Sequence, residues 1–164
     1  MSNDRYGQND TTLTQLVTFR LGREHYGIPV GKVKEIIRPT EACPIPGMAG
    51  PVEGVINLRG EIIPVLRIHI VLGSRETEED SSSRKSRVII LESNEGRFGI
   101  VVDEVRDVVK IADEEIKSSP GVSSDHKCEE AILGIVQVGD RMIICLDPRK
   151  LVSESLDIEN LASV

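Results

Sequence analysis

Tryptophan is absent, and two phenylalanines and two tyrosines are the whole aromatic complement of 164 residues. Few flat faces are therefore available for stacking bases or sugars. Positive charge is in the minority, since 20 Lys and Arg against 27 Asp and Glu leave a formal charge of -7 and a pI near 5.1. A chain of that sign repels phosphate backbones, so both shortages speak against a nucleic-acid partner. No apolar run is long enough to span a bilayer, and the opening Met1-Ser2-Asn3-Asp4-Arg5-Tyr6 is polar rather than signal-like, which predicts a cytosolic protein without direct membrane insertion. Cysteine is scarce too. Cys43, Cys128 and Cys145 are an odd set without metal-ligand spacing, and they read as reduced thiols. A phosphate-binding loop is missing as well, because Gly47-Met48-Ala49-Gly50 lacks the lysine and the following helix.

What is present is β-forming and repeated. Gly54-Val55-Ile56-Asn57-Leu58-Arg59-Gly60-Glu61-Ile62-Ile63-Pro64-Val65-Leu66 reads as two apolar strands joined by a tight polar turn. Gly60 can take the positive φ that such a turn needs, leaving Arg59 held out in solvent. Eighty positions on, Gly134 to Leu146 lies on the same segment without a gap. Likewise His25 to Ile37 lies on Arg97 to Val109, seventy-two positions on. The difference between the two offsets falls in loops, where insertions are cheap. The chain reads as a tandem duplication of one small β unit: two small domains sharing a core, with 39% hydrophobic residues to build it.

The pattern predicts a disordered lead over 1–12, a first unit over 13–72, a polar linker over 73–87, a second unit over 88–152 and a tail from 153 to 164. Val17, Phe19 and Leu21 alternate on a first strand, Gly22 to His25 turn it, and Tyr26 to Val30 return. Val33, Ile36 and Ile37 fit either one helical turn or a bent strand, and a brief turn followed by strand is the reading adopted. Pro39, Pro44, Pro46 and Pro51 exclude regular structure over 39–52. Asp147 and Pro148 announce a short C-terminal helix, as N-cap and first helical residue. Val88-Ile89-Ile90-Leu91, Ile100-Val101-Val102 and Ile62-Ile63 are apolar on both faces and ask for cover from a second barrel or a partner.

Candidate catalytic groups lack a constellation. His25, His69 and His126 lie in or beside turns and loops, none at catalytic spacing, and Cys145 sits at a strand position equivalent to Val65. An enzyme with Cys128 or Cys145 as nucleophile, and a small-barrel nucleic-acid binder, are the rival readings from other classes. Arg59 on its hairpin tip is either merely solvated or an interface cation, a role for which a planar, weakly hydrated guanidinium is suited.

The ordered series Phe19-Arg20-Leu21-Gly22, Tyr26-Gly27-Ile28, Val33-Lys34-Glu35-Ile36, Gly54-Val55-Ile56-Asn57-Leu58-Arg59-Gly60, Ile63-Pro64-Val65, Gly99-Ile100-Val101-Val102-Asp103, Val105, Val108, Gly139-Asp140-Arg141-Met142-Ile143 and Lys150-Leu151 closely resembles the bacterial chemotaxis coupling proteins of the CheW family, over about residues 13–152. The resemblance implies an all-β fold of two tandem SH3-like, five-stranded β-barrels packed on a shared hydrophobic core, without catalysis, cofactor or metal. It implies an adaptor that bridges the cytoplasmic tip of methyl-accepting chemoreceptors to the regulatory domain of the histidine kinase CheA, and other copies of the coupling protein in rings. A related adaptor of a chemosensory pathway not devoted to chemotaxis is the alternative. Carried over by motif position, receptor binding would use Val33, Glu35, Gly54, Asn57, Arg59, Val105 and Val108 around the groove between barrels, and kinase binding a face with Val88 and Ile90. Leu66-Arg67 departs from the family, which usually has an acid where Arg67 stands.

Overall fold

The computed structural model describes residues 12–47, 51–72, 84–94, 96–118 and 131–151. The expectations placed on the N-terminal lead, the C-terminal tail, most of the 73–87 linker, His126 and Cys128 lie outside these residues. Ten strands carry the fold: β1 (Leu13–Leu21), β2 (Glu24–Pro29), β3 (Val33–Ile37), β4 (Val52–Leu58), β5 (Glu61–Leu66), β6 (Arg87–Ser93), β7 (Gly96–Val102), β8 (Glu104–Ala112), β9 (Ile132–Val138) and β10 (Arg141–Leu146). A 3-10 turn over Val30–Lys32 precedes β3, as the brief turn before a strand requires. The proline-rich stretch contributes only an isolated bridge at Cys43.

Two five-stranded sheets result, ordered β8-β1-β2-β10-β9 and β3-β6-β7-β5-β4. Both orders are the same once the duplication is applied, because β6, β7 and β8 repeat β1, β2 and β3, and β9 and β10 repeat β4 and β5. Register agrees to the residue. Val65 pairs with Gly99 in the parallel β5–β7 contact, and their counterparts Cys145 and Gly27 pair in β10–β2.

This topology corrects the division into a 13–72 barrel and an 88–152 barrel. Each sheet takes its first two strands from one copy and its last three from the other, so the copies exchange strands. Between β7 and β8 the cause is the length of the connection. Only Asp103 separates them, whereas β2 and β3 are joined through the 3-10 turn Val30–Lys32. A hairpin needs about two loop residues in a defined turn, which a single residue cannot supply, so β8 continues into the other sheet. We call the sheet with β1 barrel 1 and the sheet with β3 barrel 2.

Each sheet curls around its own apolar interior. Leu16, Ile111, Val136, Ile143 and Cys145 fill barrel 1, and Ile56, Ile63, Val65, Val88 and Ile90 fill barrel 2. Closure is made by single bridges: Lys117, beyond β8, pairs with Ile135, and Cys43, beyond β3, pairs with Val55. At these places the backbones nearly touch. A Cβ on Gly54 would stand 2.5 Å from the Cys43 carbonyl oxygen, and one on Gly134 would stand 2.7 Å from that of Lys117.

Between the barrels lies a third and larger cluster, including Phe19, Tyr26, Ile28, Ile89, Leu91, Phe98 and Ile100. It answers the question raised by strands apolar on both faces. In β6, Val88 and Ile90 face the interior of barrel 2, whereas Ile89 and Leu91 face the shared core. A bulge at the same place in both copies assists, between Val17 and Phe19 against β8 and between Val33 and Glu35 against β6. Bulges re-aim side chains along a strand. Here they bring Val105 and Val33 onto the shared core.

Candidate functional site

The β4–β5 hairpin tip is strained by design of its sequence. Arg59 has φ 50° and Gly60 φ 89°, so both central residues are left-handed, the pair of conformations that matches the twist of the flanking strands. The Gly60 N–H donates to Asn57 Oδ1 at 2.8 Å and fixes the turn. Glycine at Gly60 was expected, but a left-handed arginine was not, and for a residue with a Cβ it costs about 1–2 kcal/mol. The Arg59 guanidinium is 69% exposed and its Nη2 is ion-paired with Glu35 on β3. That pair joins the β4–β5 hairpin to the far edge strand of the same sheet.

Barrel 1 carries the same clasp in different residues. Asp107, the counterpart of Glu35, accepts from Arg141 Nη2 at 3.0 Å and from the Thr18 hydroxyl. Those two bonds, the Thr18 hydroxyl first, hold the Asp107 carboxyl below its ordinary value of 3.8. Its arginine comes from the strand, while Gly139 with φ 61° occupies the turn position of Arg59. Closing a barrel in this way therefore does not require an arginine in the strained slot.

The other expected receptor-binding residues are spread over three environments. Val33 and Val105, paired with Leu91 and Phe19 at equivalent register, are half-buried on the shared core. Asn57 is exposed beside Arg59, and Val108 stands 57% exposed on β8. Gly54 is buried, and its place is explained by the approach of Cys43. The duplication also singles out Ile36, the counterpart of Val108, exposed on β3, which the motif carry-over omitted. The seventy-two-residue offset was the signal that would have found it.

The kinase-contact assignment needs correction. Val88 is 2% and Ile90 1% exposed, both packed inside barrel 2 against Ile56, Ile63 and Val65. A surface partner cannot reach them. The assignment comes with the family resemblance, and a strand apolar on both sides carries no sign of which face is outer.

Around the rim of barrel 2 the charges form a ladder across four strands. Lys34 Nζ meets Glu92 at 3.2 Å, Arg97 meets the same carboxylate at 3.6 Å, and Arg97 Nη1 meets Glu61 at 3.1 Å. The Lys34 bond holds the Glu92 carboxyl below its usual range. Cys145 is a core side chain whose thiol burial pushes up to about 11, which leaves almost no thiolate at neutral pH. Among the described residues no three His, Cys, Asp or Glu side chains converge on a metal-sized space. None of the described helices is long and apolar enough to cross a membrane.

The CheW-like domain model matches residues 15–156. Over 151 residues the chain is 38% identical to the chemotaxis protein CheW of Treponema pallidum, covering 92% of this chain and 88% of that one. Over 155 residues it is 32% identical to the chemotaxis protein CheW of Klebsiella aerogenes, covering 93% and 91%. The crystal structure of the scaffolding protein TtCheW from Thermoanaerobacter tengcongensis matches with a TM-score of 0.77 at 31% identity, over 85% of this chain and 88% of that one. Together with two strand-exchanged barrels on a common core, these matches along nearly the whole length make the chain a member of the CheW-like family of adaptor and scaffold proteins.

Proposed function

We propose that the chain is a non-catalytic cytoplasmic adaptor that couples the cytoplasmic tip of chemoreceptors to the regulatory domain of the histidine kinase CheA. The observation that carries the reading is the left-handed Arg59. Strain in a residue with a Cβ persists where the side chain is needed, and barrel 1 makes its clasp with glycine in that slot. An exposed arginine held on a rigid hairpin and paired with Glu35, on the strand that also carries Val33 at the shared core, suits the rim of a groove that receives a receptor helix. Val33, Glu35, Asn57, Arg59, Val105 and Val108 are the residues we assign to it. Gly54 acts through the backbone path rather than by contact. Each such contact would bury on the order of 1,000 Å², so firm assembly would need many linked contacts, copies of the chain itself among them.

Arg59→Glu tests this directly. The variant keeps the circular dichroism spectrum of the parent, and its affinity for a receptor-tip fragment falls at least tenfold, while co-purification with the kinase regulatory domain persists. Parental affinity for the receptor fragment would remove Arg59 from the site.

A further inference from the structure

The rim of barrel 1 is the counterpart of the charge ladder, with its charges changed. Where barrel 2 has Glu92, Arg97 and Glu61, barrel 1 has Arg20, His25 and Arg141. The barrel 2 ladder is satisfied link by link. In barrel 1, two buried nitrogens, Nδ1 of His25 and Nη1 of Arg141, have no hydrogen-bond partner. Buried polar atoms are rarely left so; Arg141 Nη1 is a donor, and His25 Nδ1 is one when the ring carries its proton there.

Both side chains line one open pocket of about 440 Å³, between the turn after β1 and the β9–β10 hairpin tip. Arg141 is held by the bonds of its Nη2 to Asp107, which leaves Nη1 over. His25 is pulled below its ordinary 6.5 by burial first and then by the charges of Arg141, Arg106 and Arg20, against which Glu104 counts least. Each of these arginines carries an ion pair of its own, Arg20 and Arg106 with Glu104 and Arg141 with Asp107. Of the acids in the pocket wall, Glu24 is engaged by the Tyr26 hydroxyl at 2.6 Å, and Asp140 stands exposed on the hairpin tip.

Arg23 adds one more charge to the wall, and the remainder is apolar: Ile135, Met142 and Ile144 line it, and Met142 is 59% exposed. Ile135 and Met142 continue into a second pocket that reaches Lys117. A strongly hydrated inorganic ion gains little from such a floor, whereas a carboxylate carried on an apolar body matches both parts.

We propose that this pocket binds an acidic peptide segment, seating one carboxylate between His25 and Arg141 and an adjoining apolar side chain on Ile135 and Met142. The site lies on barrel 1 and Arg59 on barrel 2, and peptide occupancy is read on this chain alone, with neither receptor nor kinase present. The test is a nuclear magnetic resonance titration of the full chain, observing backbone amides and the arginine and histidine side chains. The probes are a capped hexapeptide of alternating leucine and glutamate, its leucine–glutamine analogue, and inorganic phosphate, at constant ionic strength.

The glutamate peptide produces saturable shifts at His25, Arg141 and Met142, and the glutamine peptide binds at least tenfold more weakly. His25→Gln and Arg141→Gln each weaken the glutamate peptide at least fivefold. Since Arg141 also clasps Asp107, His25→Gln carries the conclusion if Arg141→Gln unfolds. Equal binding of the glutamine peptide would reduce the site to a greasy patch and overturn the assignment. So would tighter binding of phosphate than of peptide, shifts confined to other surfaces, or no saturation at all.

Discussion

Arg59 is the residue at which stability and purpose separate. Replacing it by glycine relieves a left-handed arginine, worth about 1–2 kcal/mol, and loses an exposed ion pair, worth about 0–1 kcal/mol. Arg59→Gly should therefore melt at or above the parent temperature, by up to about 8 °C, while losing receptor affinity. A lower melting temperature would show that the pair with Glu35 outweighs the backbone term, and that Arg59 is held for the barrel alone. Glycine at Gly54 has the opposite meaning. There the carbonyl of Cys43 would collide with any side chain, so an effect of substitution on binding cannot be separated from damage to the fold.

At the level of elements, the helices that follow β5 and β10 differ by their caps. The short helix over 148–151 is capped by Asp147, whose Oδ1 accepts from the Arg149 N–H at 3.0 Å. The equivalent helix α1 (Ile68–Leu72) begins after Arg67, which occupies the position of Asp147. Backbone bonds confirm the equivalence: the Arg67 N–H donates to the Pro51 carbonyl and the Asp147 N–H to that of Ala131. An arginine there offers no acceptor and puts positive charge at the positive end of the helix. Arg67→Asp should stabilise the protein by about 1 kcal/mol, read as a rise of about 2–4 °C in Tm.

The sign of the pH dependence follows from His25 in β2. Its pKa is lowered from the ordinary 6.5, chiefly by burial, so the unfolded chain takes up this proton more readily than the folded one. The stability tied to His25 is thus full above about pH 6.5 and drains as pH falls below it. Denaturant titrations at pH 7.5 and 5.5 should show a loss for the parent that is smaller in His25→Gln; an equal loss would assign the effect to other groups.

These elements also show how far the sequence could be read. The 54–66 hairpin, the second copy of it, and the Asp147 cap were legible because turn chemistry and offset are local. Helix α1 was hidden by the loss of its cap at Arg67. Strand exchange was hidden for a different reason: equivalent strands carry the same pattern, so alternation says that β1 pairs with a β3-like strand without saying which one. The single residue Asp103 between β7 and β8 held the answer. The same gap left the carried-over placing of Val88 and Ile90 outside uncorrected, since a strand apolar on both faces has no outer face until its neighbours are known.

For the whole molecule, the exchange means that neither 12–72 nor 84–151 contains a complete sheet. Cutting one peptide bond between residues 73 and 83 should leave both barrels paired. The nicked protein should elute as one species with an unchanged circular dichroism spectrum, and should fall apart only in denaturant. Separation of the two pieces in native buffer would contradict the interlaced topology.

A consequence reaches back to synthesis. As the chain leaves the ribosome, β1 and β2 emerge long before β8 and β10, the strands that must flank them. Until the final hairpin is out, the early strands wait with open edges and bare apolar faces, and loop closure over such distances is slow. Translation thus runs ahead of any finished barrel, and a holding chaperone has its longest opportunity in that interval.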